Sequence, residues 1–196
     1  MYNKVSVKIT MILIMTATLA VPSAVLQLSY AQGDLKNTIL NTHNQERAAV
    51  GVAPLVWSDS IAASAQNWAD NLLSKPKLVH STGTGFGENL ASGGGPDYAT
   101  VEVLQQSWVD EKNSYVPGTP GNSHYTQMVD QQSTEIGCAL ASGPGGQYAE
   151  YGGTNVLVCQ YSPPGNFNGR GTNTRPSLWA NACLINIVHR LQMELS

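Results

Sequence analysis

A short segment late in the chain, residues 121–129, constrains the fold more than any other part of the sequence. It reads Gly-Asn-Ser-His-Tyr-Thr-Gln-Met-Val, and it predicts a short amphipathic helix that begins near His124. Residues 135–140, which follow closely and carry Cys138, have the composition of a β-strand. The sequence therefore places a histidine beside a short helix that leads directly into a cysteine-bearing strand.

Three longer helices are predicted before this segment. The first spans residues 35–50, with Asp34 as its N-cap and Gly51 as its stop. The second follows Ser58 and is ended by Pro76, because apolar residues recur between them at the helical period. The third spans residues 98–115. The apolar residues that indicate the second and third helices are Ile61, Ala65, Trp68, Ala69, Leu72, Leu104, Trp108 and Tyr115.

The remaining segments complete an α+β order. Residues 81–95 and 116–123 are rich in Gly, Ser or Pro and are predicted as loops. Residues 135–140 and 155–161 are predicted as two strands with a Gly-rich connection between them. Helices come first and strands come late, without the alternation that builds a parallel sheet, and this order favours the α+β class.

The N-terminus has the pattern of a secretory signal. Lys4 and Lys8 precede an uncharged apolar run at residues 9–21, and small residues flank Tyr30 as in an A-x-A-like cleavage site. The run is shorter than the ~20 apolar residues that a membrane-spanning helix needs, so a stable membrane anchor is not expected. We predict cleavage after Ala31, which leaves a secreted, extracellular chain of 165 of the 196 residues.

The charge balance excludes one class of partner. Removal of Lys4 and Lys8 with the signal changes the formal net charge from −3 to −5. Nucleic-acid binding depends on clustered cations that neutralise phosphates, and the sequence has no basic cluster. We therefore expect no nucleic-acid partner.

Three cysteines are present, and an oxidising compartment is expected to pair two of them. Cys138 and Cys159 each lie in a strand-like run, and the connection between the runs is long enough for the strands to pair side by side. We predict that these two residues form a disulfide and that Cys183 is either free or absent from the true product.

Glu111 is the most informative candidate site residue on physical grounds. Leu104, Trp108, Glu111 and Tyr115 recur at the helical period, so a carboxylate lies on the apolar stripe of its predicted helix. An unpaired carboxylate is costly to bury, so Glu111 requires either a partner or a solvated position at the edge of the stripe.

Four blocks in one order give the chain a family resemblance. They are His80-Ser81, the Gly-Phe-Gly-Glu-Asn-Leu run at residues 85–90, the Trp-Val-Asp-Glu run at residues 108–111, and residues 121–129. Together they resemble the CAP superfamily, whose SCP domain occurs in plant pathogenesis-related proteins, venom allergens and fungal sterol-binding proteins. The resemblance implies a three-layer α-β-α sandwich around a small antiparallel sheet. It implies a CAP domain at residues 32–170, whereas residues 171–196 form an atypical tail.

The resemblance also implies a cavity formed by His80, Glu88, Glu111 and His124. The spacing of these four residues along the sequence does not match a recognised metal-binding motif. In the family, two neutral imidazoles at these positions could hold Zn²⁺ or another divalent cation, with the carboxylates orienting the ligands. We predict weak Zn²⁺ binding by His80 and His124, and a structural role for the His43 block.

Two positions depart from the family pattern. Ser123 stands where a Gly usually precedes the second histidine, and Asp130 stands where an aromatic residue is common. The departures put the packing behind the short helix in question more than His124 itself.

The resemblance implies a non-enzymatic function. We expect binding of a small apolar ligand, such as a sterol or fatty acid, without an obligatory cofactor and without catalytic residues. The sequence has no Gly-x-Ser-x-Gly motif and no P-loop. Two alternatives are an extracellular defence or host-interaction effector that acts through protein partners, and a metal-dependent hydrolase that uses the His/Glu cleft.

Overall fold

The computed structural model describes the backbone of residues 23–95, 98–114 and 122–166, and within these ranges the side chains from residue 34 onward. In this part of the chain four α-helices and four strands alternate irregularly. The helices are α1 (Ser23–Ala49), α2 (Asp59–Leu72), α3 (Val101–Asp110) and α4 (His124–Met128). The strands are β1 (Val56–Trp57), β2 (Gly87–Gly94), β3 (Glu135–Gly143) and β4 (Thr154–Ser162). Short 3-10 turns follow at Glu111–Ser114 and Ala149–Tyr151.

The strands form one sheet in the order β1-β3-β4-β2. The three long strands are antiparallel, with β3 and β2 on either side of β4. The short β1 runs parallel to β3 through only two residue pairs. The predicted small antiparallel sheet is therefore confirmed for the long strands. Strand β1 adds a parallel edge strand, which was not predicted because two residues are too few to show a strand pattern.

Helices cover both faces of the sheet and create two apolar cores. Side chains alternate along a strand, so successive β4 residues serve opposite cores. Helix α2 covers one face, where it buries Ala65, Ala69, Leu72, Leu90, Ala139, Ala141, Val156 and Val158. Helices α1, α3 and α4 cover the other, whose core includes Ile39, Leu104, Trp108, Tyr125, Met128, Ile136, Leu157 and Tyr161. This arrangement confirms the predicted three-layer α+β fold.

The prediction of a loop over residues 81–95 is wrong, because residues 87–94 form strand β2. Glycine is depleted in strands, so a Gly-rich segment reads as a loop. Here tertiary packing prevails: β2 pairs with β4 over its whole length, from Gly87↔Tyr161 to Gly94↔Thr154. A Cβ on Gly93 would lie 2.6 Å from the Cβ of Ala99, so close packing requires glycine at this strand position.

Two helix boundaries also differ from the prediction. Helix α1 begins at Ser23, so Asp34 lies inside it rather than at its N-cap, because local propensity is a weak signal and neither Gly33 nor Asp34 ends the helix. The predicted cleavage site after Ala31 lies within the span of α1 in the full-length chain. Helix α3 begins at Val101, where Thr100 caps it, and ends at Asp110. Glu111 therefore opens a tighter 3-10 turn.

Some predictions concern residues outside the described ranges. These are the third-helix residue Tyr115, the atypical tail at residues 171–196 and the free state of Cys183. Within the described ranges, no helix combines the length and the apolar character that crossing a bilayer requires.

A buried arginine joins α1 to the segment that follows α4. The guanidinium of Arg47 donates to the backbone carbonyls of Ala53, Met128, Asp130 and Ser133 at 2.6–3.0 Å. Burial, opposed by the charge of Asp130, lowers the pKa of Arg47 to about 10, so the group stays charged at neutral pH. A buried cation is tolerated when its donors are largely satisfied, and here four carbonyls accept from four of the five N–H groups.

A chain of hydrogen bonds also crosses the core beside Arg47. The Ile39 carbonyl can only accept, so the Nδ1–H of His43 donates to it at 2.9 Å and Nε2 is left as an acceptor. Tyr161 donates its hydroxyl proton to that Nε2 at 2.9 Å. Burial raises the pKa of Tyr161, which keeps this hydroxyl protonated. His43 is thus a neutral core histidine, which agrees with the predicted structural role of its block.

The predicted disulfide between Cys138 and Cys159 is confirmed. The two residues face each other in register on β3 and β4, with a sequence separation of 21 residues. The bond closes the hairpin at the centre of the sheet.

Removal of this disulfide should destabilise the fold strongly. In the chain-entropy model, a crosslink that closes a loop of this length contributes roughly 3 kcal/mol. We expect the Cys138→Ala/Cys159→Ala variant to lose about this much unfolding free energy in urea denaturation at neutral pH. The control is the Cys183→Ala variant, which should match the wild type; equal stability of all three proteins would contradict the expectation.

Acid should destabilise the protein through His43. Burial lowers the pKa of His43 from 6.5 to about 4, and the charge of Arg47 adds to this effect, whereas the hydrogen bond to Ile39 opposes it. Between these values the unfolded chain binds a proton that the folded chain does not, so stability falls as pH falls. The contribution of His43 to this loss is roughly 3 kcal/mol between pH 6.5 and 4.

Denaturant unfolding at several pH values measures this slope. The His43→Gln variant is expected to be less stable at neutral pH but to show a shallower decline toward pH 4. The exposed Val56 supplies the control, since Val56→Gln changes no titratable group and should retain the wild-type slope. An unchanged slope in His43→Gln would assign the acid sensitivity to other groups.

Candidate functional site

His124 and Glu111 form an ion-pairing unit at the start of α4. The Nδ1 atom of His124 lies 2.7 Å from Glu111 Oε1, and the backbone N–H of Tyr125 donates to Oε2 at 3.1 Å. The 3-10 turn that begins at Glu111 delivers the carboxylate to this helix N-terminus. The predicted need of Glu111 for a partner is therefore met, and the carboxylate is only partly buried.

The environment of Glu111 favours its charged form. Burial alone would raise the pKa of this carboxyl, but hydrogen bonds from His124 and from the backbone of Tyr125, and the charge of His124, outweigh it. The net pKa is lowered, so Glu111 stays ionised well into the acidic range. The pair therefore keeps a carboxylate against one edge of the imidazole.

The unusual residues around α4 are integrated into the structure. Ser123 and Thr126 form a reciprocal capping box that fixes the first turn of the helix. Asp130 is buried, and its carboxylate accepts from the backbone of Gln132 at 2.8 Å and of Asn166 at 3.0 Å. Polar contacts thus replace aromatic packing behind α4, and the departures leave the helix intact.

His80 and Glu88 form a second unit with a different environment. The side chain of Glu88 is 6% exposed, whereas that of His80 is 65% exposed. Glu88 accepts from His80 Nδ1 at 2.8 Å, from the backbone and hydroxyl of Ser81 at 2.9 and 2.6 Å, and from Gln160 Nε2 at 2.9 Å. Because the Ser81 hydroxyl donates to Glu88, His80 does not activate it as a nucleophile.

The two units share one orientation, although they lie on different elements. In each, a carboxylate accepts from Nδ1, so Nε2 is left as the metal-binding atom when the imidazole is neutral. Within the described residues, no three His, Cys, Asp or Glu side chains gather closely enough to hold a metal ion. The residue types are ones that bind Zn²⁺, but among the described residues they do not form a closed metal site.

Asn89, which sequence reasoning missed as a site residue, links His124 to the core. Its Nδ2 donates to the His124 carbonyl at 3.0 Å and to the Tyr161 hydroxyl at 3.1 Å. That hydroxyl in turn donates to His43. The sequence offered one signal for Asn89, which is its position directly after Glu88. Because successive side chains on a strand point to opposite faces of the sheet, Asn89 faces away from Glu88.

Trp108 supports the other side of His124. The two rings stack with centroids 6.0 Å apart and an interplanar angle of 21°. The indole N–H of Trp108 donates to the Leu90 carbonyl at 3.2 Å, which fixes the ring on the edge of β2. His124 is therefore held by Glu111, by Asn89 and by the face of a buried tryptophan.

An apolar groove lies apart from both His–Glu units. It has a volume of about 340 Å³ and runs between β2 and the N-terminal half of α3. Its walls include Ala91, Ala99, Leu104 and two unusually exposed apolar side chains, Tyr98 at 81% and Val103 at 56%. Exposed apolar side chains that share one surface commonly mark a binding site.

Comparison with known proteins identifies the family. The chain matches the family model CAP, described as the cysteine-rich secretory protein family, over residues 40–161. Pathogenesis-related protein 1A of Nicotiana tabacum is 43% identical over 136 residues, which cover 66% of this chain and 76% of that protein. Protein PRY2 of Saccharomyces cerevisiae is 38% identical over 141 residues, or 69% of this chain and 39% of its own length.

A solved structure shares the same fold. The crystal structure of NaASP2 with Zn²⁺ superposes with a TM-score of 0.60 at 20% identity, over 74% of this chain and 87% of that one. The family match spans more than half of this chain and includes the sheet and both His–Glu units. The chain therefore belongs to the CAP family of cysteine-rich secretory proteins.

Proposed function

We propose that this protein is a secreted, defence-related CAP protein that binds a small apolar ligand, such as a sterol or fatty acid, without catalysing a reaction. The observation that carries the proposal is the apolar groove between β2 and α3. Similarity to pathogenesis-related protein 1A supports the defence-related role. The signal pattern at residues 1–31 supports secretion.

The composition of the groove suits an uncharged apolar molecule. Its volume lies at the lower end of the range of small-molecule sites, which is about 300–1,000 Å³. Burial of apolar surface gains about 25 cal/mol per Å², so ligand binding there needs few polar contacts. Among the described residues, no lysine or arginine lines the groove, so a sterol needs no charged partner there and a fatty acid would keep its carboxylate in solvent.

The groove is separate from His80, Glu88, Glu111 and His124, none of which lines it. Ligand binding should therefore not depend on these four residues. This separation distinguishes the proposal from a hydrolase that uses the His/Glu cleft, in which loss of His124 would abolish activity.

A polar substitution at Val103 should weaken apolar ligand binding. Val103→Gln keeps a helix-compatible residue at an exposed position of α3, so the fold should be retained. We expect the affinity for a labelled sterol or a labelled fatty acid to fall about tenfold, which corresponds to the loss of about 1.4 kcal/mol of apolar contact. Equilibrium competition binding on the secreted protein measures the change.

Val56→Gln supplies the matched control, because Val56 is 64% exposed but lies on β1 at the far edge of the sheet. This variant and His124→Ala should bind both lipids like the wild type. Absence of binding to either lipid, or equal binding by the Val103 and Val56 variants, would refute the groove as the site. An effector role through protein partners would then be the better hypothesis.

We also propose weak Zn²⁺ binding by His80 and His124. The orientation of both imidazoles by carboxylates at Nδ1 supports this second proposal. The crystal structure of NaASP2 with Zn²⁺, which shares the fold, adds support at the level of the fold alone. A bound cation would carry water in its remaining positions and would polarise that water.

Calorimetric titration with zinc tests this proposal. Binding should be lost in a His80→Ala/His124→Ala variant and should weaken as the solution is acidified, because only neutral imidazole ligates a metal. His43→Gln is the control, since His43 is fully buried and bonded within the core. Equal zinc binding by the double variant and the wild type would rule out these two ligands.

A further inference from the structure

A second groove, of about 490 Å³, lies between helix α2 and the loop that leads into β2. Its lining contains seven hydroxyl or carboxamide side chains, one alanine and Trp68, and no charged residue. It differs in chemistry from the apolar groove beside α3. A neutral surface with this density of hydrogen-bonding groups selects for a ligand that is itself uncharged and polar.

Several of these polar side chains have no partner in the protein. Within the described ranges, the side chains of Ser64, Asn67, Asn71 and Thr82 make no hydrogen bond to another protein group. Gln160 lies fully buried behind Ser81, and its Oε1 also has no partner in the described part of the chain. Asn67, Asn71 and Thr82 are exposed, so their hydrogen-bonding groups are available to water or to a ligand, whereas Gln160 does not itself line the groove.

The residues that α2 presents to the groove do not favour the helix. Ser and Asn are poorer helix formers than Ala, Gln, Glu or Lys, because they compete for backbone hydrogen bonds. Helix α2 nevertheless contains no Lys, Arg or Glu, and it places Ser64, Asn67 and Asn71 along one exposed face. Residues that disfavour a helix, and that gain no contact within the protein, are characteristic of functional surfaces.

The groove has fixed walls. Trp68 is held by the bond from its Nε1 to the Val79 carbonyl at 3.0 Å, and Lys75 lies 5.8 Å from its ring centroid. The opposite wall, residues 81–85, is shaped by Gly83 and Gly85, whose φ angles of 75° and 74° favour glycine. A Cβ at either glycine would meet nothing within 4 Å, so the backbone conformation and not crowding requires them.

We infer that this groove binds an uncharged oligosaccharide. A sugar ring offers hydroxyl groups that both donate and accept, which match the free Ser, Thr and Asn side chains, and an apolar C–H face that packs against an indole ring. The described residues that line the groove carry no charge, so they favour a neutral glycan over a sulfated or phosphorylated one, and Lys75 is the cation that approaches Trp68. The inference does not rest on apolar ligand binding or on zinc, because neither site shares the unpartnered residues.

Titration of the full chain with cellohexaose, laminarihexaose and chitohexaose tests the assignment. We expect at least one of them to bind with a dissociation constant of about 1 mM or tighter, by calorimetry and by shifts of amide NMR signals from residues 60–71 and 81–84. The Asn67→Ala/Asn71→Ala variant should bind at least about tenfold more weakly. The same variant should melt at a higher temperature, because alanine is the better helix former.

Gln66→Ala is the matched control. Gln66 is exposed on the same helix, bonds to Asp70 and does not line the groove, so this variant should bind like the wild type. The opposite changes of affinity and melting temperature in the double variant separate a binding role from a structural one. No binding of any of the three saccharides, or equal binding by the double variant and the wild type, would overturn the inference; a protein-binding surface would give the first result.

Discussion

The fold depends on one buried cation. Arg47 lies in the last turn of α1 and is buried, and its acceptors are the Ala53 carbonyl after α1 and three carbonyls from the end of α4 and the segment that follows it. These contacts fix α1 against the segment that follows α4. The same segment holds Asp130 and Ser133, which bond to the end of β4 and to the residues after it. Replacement of Arg47 by an apolar residue would leave these carbonyls buried without donors, and that cost exceeds the loss of a single surface ion pair.

The candidate site is an extension of this core. From Ile39 to His124, each proton in the hydrogen-bond chain has one defined direction, because the carbonyls at both ends can only accept. Asn89 is the branching residue, since one carboxamide serves both the core tyrosine and the histidine of the site. The position of His124 is thus set by buried groups on α1, β4 and β2. This explains how an imidazole on a helix of only five residues acquires a fixed place.

Sequence reasoning predicted the fold class, the disulfide and the short helix at His124, because each left a local pattern in the chain. Apolar periodicity was sufficient for α2 and α3, and two strand-like runs with cysteines were sufficient for β3 and β4. Strand β2 was missed because its glycines are required by distant neighbours such as Ala99, which no local pattern reveals. The pairing of Glu111 with His124, and of Glu88 with His80, follows from tertiary distances. The role of Asn89 likewise depends on long-range contacts, which no local sequence pattern predicts.

The anchoring of α1 has a consequence for the order in which the chain folds. His43 and Arg47 belong to α1, yet their long-range partners lie 81 to 118 residues further along the chain. Such separations give a high contact order, so the core beneath α1 can close only after β4 has been synthesised. During synthesis from the N-terminus, the side of α1 that carries Ile39, His43 and Arg47 therefore stays exposed to solvent until β4 has been made. Among the described elements, α1 is therefore made first, but its tertiary contacts form late.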